Sequence, residues 1–305
     1  MSSPASPIRS AAIAAAAVDA AWDAGIRYFD TAPHYGLGLS ERRLGKALAS
    51  RPRGEFAVST KVGRVLVANP APSGSDLAAG FDVPGTLTRR RDYSADGVRR
   101  SLEDSMGRLG LDRIDIALVH DPEDHMEQAM AEAVPALLEL REQGVIGAVG
   151  AGMNYWEPLL SFVTGSGVDV VMVAGRWTLV DRTAAPLLAA CAERQVSVLA
   201  AAPFNSGLLA SPWPATGALF DYSPAPDRVR DMARSLAAAC QRHGATLPHA
   251  AVTFPLRHPA VASVVAGIRT AAEARSDAAW ATTPLPESLW DCLDSIVSGP
   301  REGPS

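Results

Sequence analysis

Residues 25–48 read GIRYFDTAPHYGLGLSERRLGKAL. The stretch opens as a short apolar strand, Ile26 to Phe29, and reaches a carboxylate at Asp30. It then turns through Pro33, Gly36 and Gly38 and continues as an amphipathic helix. A strand followed at once by a helix is one βα unit. A carboxylate at the mouth of an apolar strand is costly unless a cation answers it. Tyr35, in the same turn, adds a second ionisable group. The stretch therefore poses one question about fold and another about chemistry.

The unit recurs. Apolar runs follow at 56–61 (FAVSTK), 114–120 (IDIALVH), 145–152 (VIGAVGAG), 168–174 (VDVVMVA), 196–202 (VSVLAAA) and 261–267 (VASVVAG). Most are continuous rather than alternating, as strands buried on both faces are. Helical patterns lie between them. After Ser94, a ready N-cap, Val98, Leu102, Met106 and Leu109 form one stripe, and a second helix ends on Gly144. Repeated βα units give either a doubly wound open sheet or a (β/α)8 barrel. No Gly-x-Gly-x-x-Gly follows an early strand, so the α/β class expected is the (β/α)8 TIM barrel, as a single domain over residues 1–305.

Only seven strands can be counted where such a barrel needs eight. Residues 1–8, MSSPASPI, are too rich in Ser and Pro for a buried strand and are expected to be disordered. The stretches at 69–91 and 203–226 read as long βα loops over a site. The first of these, taken as 62–93 with Arg64, Arg89, Arg90 and Arg91, is expected to build much of the substrate pocket.

Composition narrows the class further. With 48% apolar and 20% charged residues the chain is globular, and a net charge of -5 with no basic patch argues against nucleic acid as a partner. Cys191, Cys240 and Cys292 fit neither a disulfide framework nor a zinc site, which points to a reducing cytoplasm. The run AAIAAAAV continues into DAAWDAG and reads as one helix with a Gly stop, not as a secretion signal. No segment has the length of a membrane span.

In a βα barrel, catalytic groups sit at the C-terminal ends of strands. Those ends deliver Asp30, Lys61 and His120, with Tyr35 on the turn after Asp30. Taken singly, each has a plain structural reading as a cap, a surface group or a satisfied core residue. Three strand ends in succession make the joint coincidence improbable. Lys61 is one of two lysines against 26 arginines, the other being Lys46 on a helix face. A phenol titrates near ~10, too high for neutral acid–base work, and a neighbouring ammonium lowers that value. Asp30 offsets the burial of Lys61, and His120 can bind a substrate oxygen and aim it at Tyr35. A metal-dependent hydrolase is the weaker reading, since Asp121 and His125 lack ligand spacing.

With those residues in place, the chain resembles the aldo-keto reductase superfamily from about residue 10 to 298. The resemblance rests on FDTAPHYG, STKVGR and LVHDP. DTAPHYGLGLSERRLGKAL, DYSADGVRRSLEDSMGRLGLDRIDI, HDPEDH, AGRWTL and PLPESLW are similar to its bacterial branch of L-fucose, D-threo-aldose and galactose dehydrogenases, which includes pyridoxal 4-dehydrogenase. The resemblance implies Tyr35 as general acid/base with Asp30, Lys61 and His120, and no metal. It implies a nicotinamide cofactor held by Asn154, by Trp177 as a flat ring (a core tryptophan being the plainer alternative), and by Pro203, Phe204, Asn205, Ser206, Gly207 and Leu208 around the pyrophosphate. Gly267, Ile268, Arg269, Thr270, Glu273 and Asp277 fall in the segment around the adenosine ribose. A glutamine common in relatives is Ala174 here. Glu273, where NADP-dependent relatives place a phosphate partner, favours NAD over NADP, and Arg269 leaves NADP open.

The activity implied is oxidation of a free aldose at C1 to its lactone. Pyridoxal oxidation and a non-catalytic nucleotide-binding barrel are the alternatives. Relatives begin with a hairpin and a first strand that this sequence lacks. The expectation is two unpaired strand edges, from an upstream start in preference to a degenerate barrel.

Overall fold

In the computed structural model, which describes residues 7–298, the strand-and-helix alternation is the one the sequence leads to expect. Helix α1 spans Pro7–Asp23 and ends before Gly25, whose φ of 88° reverses the chain. Pro7 opens this helix, as proline can where the first-turn N–H has no intrahelical acceptor. Residues 7 and 8, expected to be disordered, are therefore helical, and residues 1–6 lie outside the described residues.

The strands are β1 (Tyr28–Asp30), β2 (Ala57–Val62), β3 (Arg64–Ser73), β4 (Gly85–Arg91), β5 (Ile114–His120), β6 (Ile146–Met153), β7 (Val170–Ala174), β8 (Ser197–Ala201), β9 (Leu219–Phe220), β10 (Ser223–Pro224) and β11 (Val261–Val265). Seven of them form one sheet in the order β1-β2-β5-β6-β7-β8-β11. The β1–β2, β2–β5, β5–β6 and β8–β11 pairs are parallel. These are the seven runs picked out in the sequence. The end strands β1 and β11 are the least buried: all three residues of β1 are half-buried, and only Val261 of β11 is fully buried.

The two loop expectations need correction. Instead of a loop at 69–91, the chain over 64–91 forms an antiparallel hairpin in which Arg64 faces Arg91 and Leu66 faces Arg89. Alternation of Val65 with Val67 and of Thr86 with Thr88 supplies the strand period, which Pro70, Pro72, Gly74 and Pro84 disguise. Within 203–226, β9 and β10 form a second short hairpin. Among the described residues no helix is long and apolar enough to cross a membrane.

The described chain falls into two compact units. One holds residues up to 153, 157–172 and 268–275; the other holds 154–156, 173–267 and 276 onward. In the first, helix α2 (Leu39–Leu48) packs on α3 (Ala95–Leu109) so closely that a Cβ on Gly45 would lie 2.1 Å from the Leu109 carbonyl oxygen. Ser94 caps α3, its Oγ accepting from the Gly97 N–H at 3.1 Å. In the second, Leu208, Leu236, Cys240, Leu247, Phe254 and Trp290 belong to one apolar cluster.

Candidate active site

The first unit brings Asp30, Tyr35, Lys61 and His120 together. Parallel pairing sets Asp30 against Ser59, and Lys61, two residues further along β2, shares Ser59's face. Ser59 Oγ donates to Asp30 Oδ1 at 2.6 Å, and Lys61 Nζ donates to Asp30 Oδ2 at 2.6 Å and to the Thr31 carbonyl at 3.1 Å. The side chains of Lys61 and Asp30 are 2% and 8% exposed, so this ion pair is sealed from solvent. Lys61 Nζ lies 4.8 Å from the centroid of the Tyr35 ring. On the other side of β2, Thr60 Oγ1 donates to Glu41 Oε1 at 2.8 Å. Arg108 Nε donates to Glu41 Oε2 at 2.6 Å, which tethers the strand to both helices.

Three forces decide the charges. Burial alone depresses Lys61, but Asp30 and then Tyr35 outweigh it, and its pKa lies above the ordinary lysine value. The Tyr35 phenol is pushed up from its ordinary 10.0, chiefly by burial. Lys61 pulls it down and Asp30 pushes it up. The lowering expected from Lys61 is therefore present but outweighed: burial makes phenolate costly in the protein alone. His120 is held well below the usual histidine range by burial, reinforced by Lys61 and Arg64, so its imidazole is neutral. Its Nδ1 is buried without a hydrogen-bond partner.

The β3–β4 hairpin supports this set. Arg64 donates to Asp121 Oδ2 at 2.5 Å, and Tyr93 donates its hydroxyl hydrogen to the carbonyls of His120 (2.7 Å) and Asp121 (2.8 Å). Asp121 itself sits at a φ of 43°, a left-handed conformation those contacts hold in place. Arg89 bonds both oxygens of Asp76, at 2.7 and 2.5 Å, and the His34 carbonyl at 2.8 Å. These arginines brace the site through carboxylates and carbonyls, so the pocket-building role expected of them is carried in part by the residues they hold. Sequence reading passed over Glu41, His34, Phe81 and Tyr93. His34 and Glu41 stood inside the opening stretch, where adjacency to Tyr35 was the available signal.

The cofactor candidates divide between the units. In the second, Asn205 Nδ2 donates to the Gly175 carbonyl at 3.0 Å, while Asn205 Oδ1 and Trp177 Nε1 are buried without partners. Trp177 packs on Phe254, ring centroids 5.4 Å apart, and on His258 at 5.6 Å. Ala202, just before the 203–208 loop, and Asn205 and Ser206 within it have φ values of 54°, 44° and 56°, so left-handed residues make the short turn Asn205–Gly207. Pro203 and Leu208 are buried and Phe204 is half-buried. The Arg176 guanidinium donates to the Asn154 carbonyl at 3.1 Å. Gly267 is exposed and Asp277 is 8% exposed.

In the first unit, Glu273 Oε2 accepts from the backbone N–H groups of Arg269 at 2.7 Å and Thr270 at 3.2 Å. Its Oε1 accepts from the Arg269 guanidinium at 3.0 Å. A carboxylate thus occupies the N-terminal end of helix Ala271–Thr282. Ile268 packs with Ile26 and Phe29.

A sealed lysine–aspartate pair beside a tyrosine and a histidine, at the ends of parallel strands and on the turn after the first, is the arrangement expected of an α/β barrel enzyme. Comparison with known proteins gives the class a family. The profile of the Aldo/keto reductase family matches residues 9–298, and the chain belongs to that family of oxidoreductases. It is 47% identical over 279 residues to D-threo-aldose 1-dehydrogenase of a Pseudomonas species, covering 90% of this chain and 85% of that protein. It is 35% identical over 304 residues to pyridoxal 4-dehydrogenase of Microbacterium luteolum, covering 94% and 88%. An aldo-keto reductase from Bacillus halodurans in its holo form superposes with a TM-score of 0.74 at 25% identity, over 92% of this chain and 86% of that one. The fold class is accordingly the (β/α)8 barrel of that family, with seven of its parallel-sheet strands among the described residues.

Proposed function

We propose that this protein is an NAD-dependent oxidoreductase that oxidises a free aldose at C1 to its lactone, with Tyr35 as general acid/base. The observation that carries the reading is the buried Lys61–Asp30 pair at 2.6 Å, with its ammonium 4.8 Å from the Tyr35 ring. Nothing in a barrel core calls for a sealed ammonium, whereas a tyrosine that must part with its proton does. Tyr35 takes the proton of the anomeric hydroxyl as the C1–O bond becomes a carbonyl. Lys61 stabilises the phenolate form that starts this step, and Asp30 keeps Lys61 charged. His120, neutral, donates a hydrogen bond to the same oxygen and orients it.

Unpartnered buried atoms on Asn205 and Trp177, and the left-handed turn at Asn205–Gly207, suit a nicotinamide dinucleotide. Asn154 and Trp177 would hold its ring, Pro203, Phe204, Asn205, Ser206, Gly207 and Leu208 its pyrophosphate, and Gly267, Ile268, Arg269, Thr270, Glu273 and Asp277 its adenosine end. Bound there, it supplies the acceptor for the hydride leaving C1. Glu273 favours NAD: its carboxylate already takes Arg269 and the helix-end N–H groups that a 2′-phosphate would need.

The substrate is read from the 47% identical aldose dehydrogenase, and pyridoxal is the second reading, from the 35% identical relative. Initial rates on L-fucose, D-galactose, D-arabinose and pyridoxal, each with NAD and with NADP, separate these readings. Sugar turnover that prefers NAD is expected. Turnover of pyridoxal alone would replace the sugar reading, and a strong NADP preference would overturn the role given to Glu273. Tyr35→Phe is expected to lower turnover by ~10² to 10⁴-fold. A variant as active as the parent would refute the acid/base assignment.

A further inference from the structure

We propose that His34 is a substrate-positioning residue that binds the hydroxyl on the carbon next to the reacting one, so that the protein selects 2-hydroxy sugars over their 2-deoxy counterparts. This rests on the dehydrogenase reading above and assigns a role to a group which that reading does not use.

The geometry is a triangle. The His34 ring centroid lies 5.9 Å from that of Tyr35 and 5.8 Å from that of His120, and Tyr35 and His120 lie 6.0 Å apart. Two corners act on the reacting oxygen, while the third carries a polar ring with a buried Nδ1 that has no hydrogen-bond partner. A buried nitrogen without a partner calls for an explanation, and beside the proposed reacting groups a substrate hydroxyl supplies one. The oxygen one carbon away on a vicinal diol is the nearest substrate atom able to complete it.

The ring is also held in place. The His34 carbonyl accepts from Arg89 at 2.8 Å, and Arg89 is fixed by Asp76. Phe81 packs edge-on to the imidazole, ring centroids 5.3 Å apart at 89°. Burial, then the charges of Arg64 and Arg89, bring the His34 pKa down to about 4. The neutral imidazole both donates and accepts, which matches a hydroxyl. The nearby guanidiniums are committed, Arg64 to Asp121 and Arg89 to Asp76, so the corner is suited to a neutral polyol and not to an anion.

The test is a ratio of kcat/KM values for L-fucose and 2-deoxy-L-fucose, measured in the parent, in His34→Phe and in His34→Asn. A ratio within one preparation does not depend on the fraction of protein that folds. If His34→Phe yields no soluble protein, His34→Ala takes its place. The parent is expected to prefer the 2-hydroxy sugar by about 10- to 100-fold, the effect of leaving one buried polar group unpaired with the 2-deoxy sugar. The Phe variant should fall to within about threefold of unity, and Asn, which keeps a donor and an acceptor, should lie between. A parent that turns over both sugars equally, or a Phe variant with the parent's ratio, overturns the assignment of His34 alone. A parent inactive on every sugar and on benzaldehyde with either cofactor overturns the dehydrogenase reading itself, and this proposal with it.

Discussion

A lysine whose side chain is 2% exposed keeps its charge only through what touches it, and here the one carboxylate among those contacts is Asp30. Removing the carboxylate charge strands an ammonium in the interior. Asp30→Asn is therefore expected to cost about 3–5 kcal/mol in urea unfolding, the usual penalty for breaking a buried pair from one side. The double change Asp30→Asn with Lys61→Met should cost less than the single one, because no orphan charge remains. A double variant less stable than Asp30→Asn would show that the pair contributes to stability in its own right.

The same residues fix a pH response. Tyr35 titrates above its ordinary 10.0, so the phenolate fraction grows as pH rises. Oxidation should accelerate, and carbonyl reduction slow, across the alkaline range. His34, at about 4, and His120, lower than usual, are neutral throughout, so neither should bend the kcat/KM profile near 6.5. For stability the sign is that of depressed groups: their contribution is complete above the unfolded histidine value near ~6.5 and is lost as pH falls towards the folded values. A rate limb near 6.5 that His120→Asn removes would contradict the neutral imidazole. The four residues of the proposed catalytic set were legible in sequence because Asp30, Lys61 and His120 stand at strand ends, which period and composition reveal, and Tyr35 follows Asp30 in the turn. His34 and Glu41 were not assigned, because their roles depend on neighbours 55 to 86 residues away in the chain, such as Arg89, Arg108 and His120, at |i−j| separations of 55, 67 and 86.

Among elements, the contact that most directly joins fold to site is the end of β2 against the chain entering α3. Gly63 follows Lys61 by two residues and has a φ of 100°, and a Cβ there would lie 2.1 Å from the Tyr93 ring. That ring cannot move freely, since its hydroxyl holds the carbonyls of His120 and Asp121. Gly63→Ala thus meets two costs, a disfavoured backbone conformation and a displaced tyrosine that holds the backbone of His120, the histidine proposed to orient substrate. A loss of about 1–3 kcal/mol in unfolding free energy is expected, with turnover reduced beyond what the folded fraction explains. Turnover falling only in step with the folded fraction would show that Tyr93 does not position His120. Helices and parallel strands were legible because their apolar periods run unbroken over whole elements. The β3–β4 hairpin was not, because prolines and glycines interrupt its alternation, and its stability comes from Arg64 and Arg89 finding Asp121 and Asp76 through space.

At the scale of the whole fold, the seven strands counted in sequence already implied that two would end the sheet, and among the described residues β1 and β11 do so. What the sequence did not disclose is how β1 is covered. Ile26 and Phe29 pack against Ala20 and Ala21 of α1 and against Ile268, Ala271 and Ala274, a thin cluster built largely from alanines. Alanines bury little area, about a quarter of what a leucine contributes if each buried carbon is worth ~0.8 kcal/mol, so such a cover stabilises its strand weakly. Burial follows the same gradient: Ala117, Leu118 and Val119 of β5 are fully buried, whereas β1 has no residue below the half-buried class. Amide hydrogen exchange should record this gradient, because local opening is least costly where few apolar contacts must break. Amides of 28–30 and 261–265 are expected to exchange at least ~10-fold faster than those of 116–119 and 149–153, a difference of about 1.4 kcal/mol in opening free energy. Uniform protection across all four segments would mean that the end strands are held as firmly as the central ones. The weak cover over β1 would then be the wrong account of how a sheet of seven strands ends.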